Sequence, residues 1–235
     1  MQQFFDTFLS WDAFKESLPQ VLRGFATNLS LMVVAELCVL VWGLVLALLR
    51  SSRSRAVAPA RWLAIGYIDL FRALPGLIVI YMVGFGLPIA GVPWISDWSL
   101  FQLATLALTL VYGAYVAEVY RAGIESVHWS QTAAARSLGL SQAKTMRFVV
   151  LPQAVRRVIP PLLNDFIGLQ KDTAFIGIIG VIDGFRRAQV YAGNNFNLTS
   201  FTGLALCFVV ITIPMTRLTD YLLKRDQQRM AAGRR

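Results

Sequence analysis

Residues 118–158 read EVYRAGIESVHWSQTAAARSLGLSQAKTMRFVVLPQAVRRV. The stretch is too polar to cross a bilayer and too apolar to stay disordered. Gln131 to Leu138 is an Ala-rich run, and Ala costs least in a helix. Its row of methyl groups, Ala133 to Ala135, lets another surface approach closely. Gly139 follows where helices commonly end on a left-handed residue. Ser141 then N-caps a second short helix ending near Val150. Pro152 stands where the next helix begins. Two short helices joined at a glycine predict a rigid projecting knob, a docking element for a partner. His128, the one histidine of the chain, has no Cys or His at ligand spacing and reads as a surface loop residue.

On either side of the knob the chain turns apolar. Runs lie at about Thr27–Leu49, Leu74–Ala90, Leu100–Ala117, Val158–Val181 and Phe201–Leu223. A span needs roughly 20 apolar residues, so five membrane crossings are expected. Trp62 to Leu70 either extends the second run or lies in the interface. The composition agrees: of 235 residues 56% are hydrophobic and only 15% charged, against about 25% charged in soluble domains. A net charge of +9 would suggest nucleic acid in a soluble protein, but here the arginines sit between apolar runs. No basic n-region or cleavage site precedes them. Cys38 and Cys207 lie inside apolar runs and read as small buried hydrophobes.

Basic residues in short loops mark the cytoplasmic side. Arg50, Arg53, Arg55 and Arg61 precede the second run. Arg121, Arg136, Lys144, Arg147, Arg156 and Arg157 lie between the third and fourth. Lys224, Arg225, Arg229, Arg234 and Arg235 follow the fifth. That is fifteen of the 22 basic residues. The N-terminus is therefore expected outside, and the C-terminus and knob inside. On this reading residues 1–26 form an outer N-terminal segment, 27–223 the membrane domain with its docking loop at 118–157, and 224–235 a basic tail. Phe4, Phe8, Trp11, Phe14 and Leu18 recur at roughly helical spacing, which fits a short interfacial helix and fits a frayed tail equally well. Trp94 and Trp98 flank the outer loop, and Trp62 sits near the inner side.

Charges within the runs are costly, roughly 3 kcal/mol for one at mid-membrane. Lys171 and Asp172 fall near the middle of the fourth run. Neighbours in sequence do not face each other on a helix, so each needs a partner elsewhere, a solute or water. They read as a pathway or gate, or as an ion pair that fixes packing. Glu36, Asp165, Glu118 and Arg72 join them as candidates, with Arg72 equally able to reach the headgroups. Pro160, Pro161, Gly168, Gly177 and Gly180 fit a helix that moves or one that packs closely. Four lysines occur, at 15, 144, 171 and 224, and none follows a glycine. The chain therefore has no G-x-x-x-x-G-K-[ST] loop for ATP phosphates. An intramembrane enzyme would need a convergent nucleophile and base, and none is visible. An ion-coupled secondary transporter using Glu36, Asp165 and Asp172 is the alternative, though the internal repeats common in such folds are not apparent.

The spacing Ala133-Ala134-Ala135-x-x-x-Gly139, nine residues, then Val149-x-Leu151-Pro152 resembles the EAA loop of ABC-importer permeases, E-A-A-x3-G-x9-I-x-L-P. The family's glutamate is Ala133 here, which removes a carboxylate and leaves the knob. Phe71-Arg72-x-x-Pro75, Glu118-x-x-Arg121-Ala122-Gly123, Leu151-Pro152-Gln153-Ala154 and Lys171-Asp172-Thr173 resemble the polar amino-acid subfamily, which includes histidine, glutamine, glutamate, arginine and opine permeases. The resemblance implies an all-α, type I importer permease of five transmembrane helices in a bacterial inner membrane. It implies pairing with a second permease copy or homologue among membrane lipids. ABC ATPase subunits would carry ATP and Mg2+ below, and an extracytoplasmic amino-acid-binding protein would dock above. Gln131, Ala133, Ala134, Ala135, Arg136, Gly139, Leu151 and Pro152 would then couple the chain to the ATPase.

Overall fold

The computed structural model describes residues 1–52, 54–95 and 97–232. Arg53, Arg234 and Arg235, and the side chain of Arg229, lie outside that description. Every described element is helical: α1 (Gln2–Phe8), α2 (Trp11–Ser51), α3 (Ala58–Ala73), α4 (Gly76–Tyr81), α5 (Leu87–Ile89), α6 (Leu100–Glu125), α7 (Trp129–Ser137), α8 (Gln142–Thr145), α9 (Leu151–Asp172), α10 (Gly184–Asn195) and α11 (Thr199–Ala232). Wide π-turns link α4 to α5 at Met82–Gly86 and α8 to α9 at Met146–Val150. A 3-10 turn, Thr173–Ile179, follows α9.

Among the described residues three stretches are long and apolar enough to cross a membrane: Gln2–Ser51, Leu100–Glu125 and Thr199–Arg225. Ala58–Ala73 and Gly76–Ile89 meet at 107° and are apolar enough only when taken together, as a broken span or a re-entrant loop. The break has a local cause. Pro75 lacks an N–H and holds Leu74 in extended backbone, ψ 135°, so α3 cannot continue.

The elements depart from the apolar runs in several places. The helix that carries the first apolar run already starts at Trp11, well before residue 27. Only Gln2–Phe8 is a separate short helix. The third helix runs on to Glu125, past the end of its apolar run near Ala117. The second short helix of the knob does not end near Val150 but continues through the π-turn into α9. The fourth run is not one continuous span: α9 ends at Asp172, which puts Lys171 and Asp172 at a helix terminus rather than mid-helix. Five charged residues between Arg156 and Asp172 explain why α9 does not have the apolarity of the others.

The π-turns share a sequence cause. Each begins at a methionine and ends before a Leu-Pro pair, Leu87-Pro88 and Leu151-Pro152. The Leu N–H donates five residues back, to Met82 O and Met146 O respectively. Proline has no N–H to offer. The helix passes it by changing hydrogen-bond register in the turn before it.

The core forms where α2 crosses α6. Leu31, Ala35 and Val39 pack on Leu103, Ala107, Leu108 and Val111, with Val79, Val83, Leu169 and Ile176 closing the cluster. The approach is close. A Cβ on Gly43 would lie 2.7 Å from Val116, and one on Gly113 2.6 Å from Trp42. Small residues are what lets membrane helices meet this tightly. Trp42 Nε1 donates to Tyr67 OH (2.9 Å), which donates to Leu110 O (2.7 Å) and ties α3 to both. A second lock joins α2 to the segment after α9. Asn28 Nδ2 donates to Thr173 O (2.9 Å) and Asp183 Oδ2 (3.0 Å), and its Oδ1 accepts from Gly184 N (2.9 Å). Asp183 Oδ1 in turn caps α10 by accepting from Arg186 N (2.8 Å). Leu37, Val41 and Leu44 of α2 and Val209, Val210 and Ile213 of α11 stay exposed, an apolar surface of the kind that faces lipid.

Candidate functional site

The knob is built as its sequence suggests up to the π-turn. His128 is exposed but is not merely a loop residue, since its Nδ1 accepts from Ser130 N and caps α7. Gly139 has φ +82°. Leu140 N bonds Ala135 O (3.1 Å) and Gly139 N bonds Arg136 O (3.0 Å), the paired closure of a helix ending in left-handed glycine. Ser141 Oγ accepts from Lys144 N and starts α8. Ala135 is buried, whereas Gln131, Ala133, Ala134, Arg136 and Gly139 are exposed. Trp129, at 74%, and Leu138, at 83%, are exposed beside them. Leu151 and Pro152 lie beyond the π-turn, also exposed. The knob thus presents an apolar face on a firm base. Val127, Val150 and Ala154 form that base. A Cβ on Gly123 would overlap Val158 at 2.0 Å, so α6 and α9 touch there.

Charge surrounds the base. Glu118 pairs with Arg50 and Arg121, and Arg121 also pairs with Glu125. These bonds join the ends of α2 and α6. Arg157 donates to Ser126 O and bonds its hydroxyl. The structure therefore gives Glu118 an ion-pair setting. Arg72 is exposed, with its guanidinium 5.9 Å from the Tyr115 ring centre.

A separate cleft of about 280 Å3 is lined by Gly76, Val111, Tyr112, Tyr115, Asn164, Asp165, Gly168 and Asp172. Tyr112 OH donates to Asp172 Oδ2 (2.9 Å). Asp165 Oδ2 is shielded from solvent and has no hydrogen-bond partner among the described residues. A Cβ on Gly76 would sit 3.8 Å from Asp172 Oδ2, so the carboxylate faces the start of the Gly76–Ile89 segment. Asp165 and Asp172 are thus brought together. Glu118, Arg72 and Lys171 do not line the cleft, and neither does the half-buried Glu36. Sequence reasoning missed Tyr112, Tyr115, Asn164 and Gly76. The one available signal was Gly76 directly after the helix-breaking Pro75.

Residues 39–230 match the family model described as binding-protein-dependent transport system inner membrane component. The chain belongs to this family. Permease proteins align with it along nearly their whole length. The probable glutamine ABC transporter permease protein GlnM of Bacillus subtilis (strain 168) is 34% identical, covering 89% of this chain and 94% of GlnM. The glutamate/aspartate import permease protein GltK of Escherichia coli O157:H7 is 32% identical, covering 92% and 97%. The crystal structure of an amino acid ABC transporter with histidines superposes with TM-score 0.83 at 29% identity, covering 92% of this chain and 99% of that one. The MetNI methionine ABC transporter in inward-facing conformations shares the fold, with TM-score 0.68 at 20% identity. As a family member the chain is a multi-pass membrane protein and a translocation subunit of an ATP-driven importer.

Proposed function

We propose that this chain is the path-forming permease of an amino-acid importer, and that the Gly76–Asp172 cleft contacts the solute. The observation that carries this reading is the pairing of opposite polarities in one small cleft. The first N–H groups of the Gly76–Ile89 segment have no carbonyl one turn back to bond and carry the positive end of its dipole. Asp165 and Asp172 supply negative charge across from it. An α-amino acid carries both a carboxylate and an ammonium, so it can bridge the two. Broken membrane helices offer solutes their termini in this way. A cleft near the lower bound of ligand sites, about 300 Å3, suits a solute of that size. Names of the relatives above, which speak of glutamine, glutamate, aspartate and amino acids, support the same class.

In this reading the chain crosses the membrane five times: α2, the bent α3 to α5 pair, α6, α9 with its 3-10 turn, and α11. The N-terminus lies outside and the C-terminus in the cytoplasm, as the basic loops favour. A second permease copy or a homologue completes the path. ABC ATPase subunits, which hold ATP and Mg2+, grip the Trp129–Gly139 knob. An extracytoplasmic binding protein delivers the amino acid to the opposite mouth. ATP binding draws the knobs together, and the favoured packing of the helices changes.

The test is ATP-driven uptake of radiolabelled amino acids by the reconstituted complex carrying Asp172→Asn. The expected result is a raised KM for uptake with the ATPase still bound. Uptake with unchanged KM would remove the cleft from the path. Uptake that needs an ion gradient and no ATP would favour a secondary transporter instead.

A further inference from the structure

We propose that α1 is a foot that seats this chain on the bilayer surface at the N-terminal end of α2, with the phospholipid interface as its partner. In this helix Phe4, Phe5 and Phe8 share one face, and Met1 and Leu9 flank it at the same i, i+3, i+4, i+7, i+8 spacing of the sequence. Gln2, Gln3, Asp6 and Thr7 occupy the other. The Phe4 ring contacts Phe5 (centres 5.9 Å) and Phe8 (5.1 Å). Yet α1 contains no buried residue, so the chain itself does not cover this aromatic face.

A seven-residue helix is not stable alone, and this one is fastened through its backbone. Asn197 Nδ2 donates to Asp6 O (2.8 Å), Leu198 N to Thr7 O (2.8 Å), and Thr202 Oγ1 to Phe8 O (2.8 Å). Ser10 N donates to Thr199 Oγ1 (3.1 Å). The carbonyls that would be unsatisfied at the end of α1 are thereby bonded by the start of α11. The helix is fixed in place while Phe4, Phe5 and Phe8 stay exposed.

The neighbouring start of α2 identifies the occupant. Next along the chain Lys15 Nζ lies 5.0 Å from the centre of the Trp11 ring, which stacks on Phe14. An indole beside an ammonium suits the headgroup layer, where the ring meets the glycerol region and the cation meets phosphate. The Phe196 ring, 93% exposed and held at φ +48° on the turn that pins α1, extends the same apolar footing.

The test uses the assembled transporter with Cys38→Ser and Cys207→Ser, reconstituted in phosphatidylcholine/phosphatidylglycerol vesicles. A nitroxide is attached at Phe5→Cys, on the apolar face, or at Gln3→Cys, on the opposite face. The expected result is that the Phe5 label relaxes several-fold more with oxygen than with a water-soluble nickel chelate, and the Gln3 label the reverse. Equal exposure of both labels to nickel would overturn the proposal. So would a Phe5 label immobilised only when an extracytoplasmic binding protein is added, which would make the face a protein dock. Should Phe5→Cys fail to assemble, Phe4→Cys reports the same face.

Discussion

Asn28 is 1% exposed, and both ends of its amide are used. Removing the amide in Asn28→Ala leaves Asp183 Oδ2 and the Gly184 N–H buried without it, at a cost of about 1–3 kcal/mol. The thermal unfolding midpoint in detergent should fall, and Asn28→Asp should lower it further by setting two carboxylates against each other. An unchanged midpoint would mean that water replaces the amide and the lock is dispensable. Nothing in the sequence announced this pair. Asn28 and Asp183 are 155 positions apart, and Asp183 falls between elements, outside the apolar runs where a charge attracts notice. Tyr112 was hidden for the same reason: its hydrogen bond to Asp172 spans sixty positions. Gly139 was legible because its requirement is local. At φ +82°, Gly139→Ala forces a Cβ into left-handed backbone for about 1–2 kcal/mol. The closing turn of α7 should loosen, and co-purification of the ATPase with the complex should drop. Full retention would show that the partner does not depend on the shape of this turn.

Helices that pack side by side write themselves into runs of apolar residues, so α2, α6 and α11 could be read from composition. Short helices with caps could be read from Ser141 and Gly139. Joints between helices could not. Pro152 signals a helix start, yet here it lies inside a helix that has absorbed it through a π-turn. The same exchange occurs before Pro88, and the shared Met-x4-Leu-Pro pattern becomes informative only once the structure shows both turns. This account makes its own prediction. Pro152→Ala restores a backbone donor and removes the reason for the wide turn. An α-helical turn should then expel one residue from the π-turn and rotate α8 and the knob by about 100° relative to α9. The chain should keep its unfolding midpoint or gain slightly, while ATPase co-purification falls. A variant that binds ATPase normally would show that the turn persists without the proline.

On the scale of the whole chain, one helical path runs from Gln142 through the π-turn to Asp172. Its near end belongs to the knob and its far end to the cleft. At 1.5 Å per residue it spans about 46 Å, enough to carry a displacement across the membrane. A helix pushed at one end moves the other, even past Pro160 and Pro161, and an added hinge near the push absorbs it. Replacing Arg147 and Phe148 together by glycine introduces a hinge, since each glycine weakens a helix by about 1 kcal/mol, and leaves the Trp129–Gly139 face untouched. The reconstituted complex should still bind and hydrolyse ATP, and the amino acid moved per ATP should fall several-fold. The measurement is the ratio of uptake to phosphate release in the same vesicles. If both fall together, the glycines have dissolved the docking site instead. If the ratio holds, motion reaches the cleft by another route, and the joint of α2 with α6 at Arg50, Glu118 and Arg121 becomes the element to soften next.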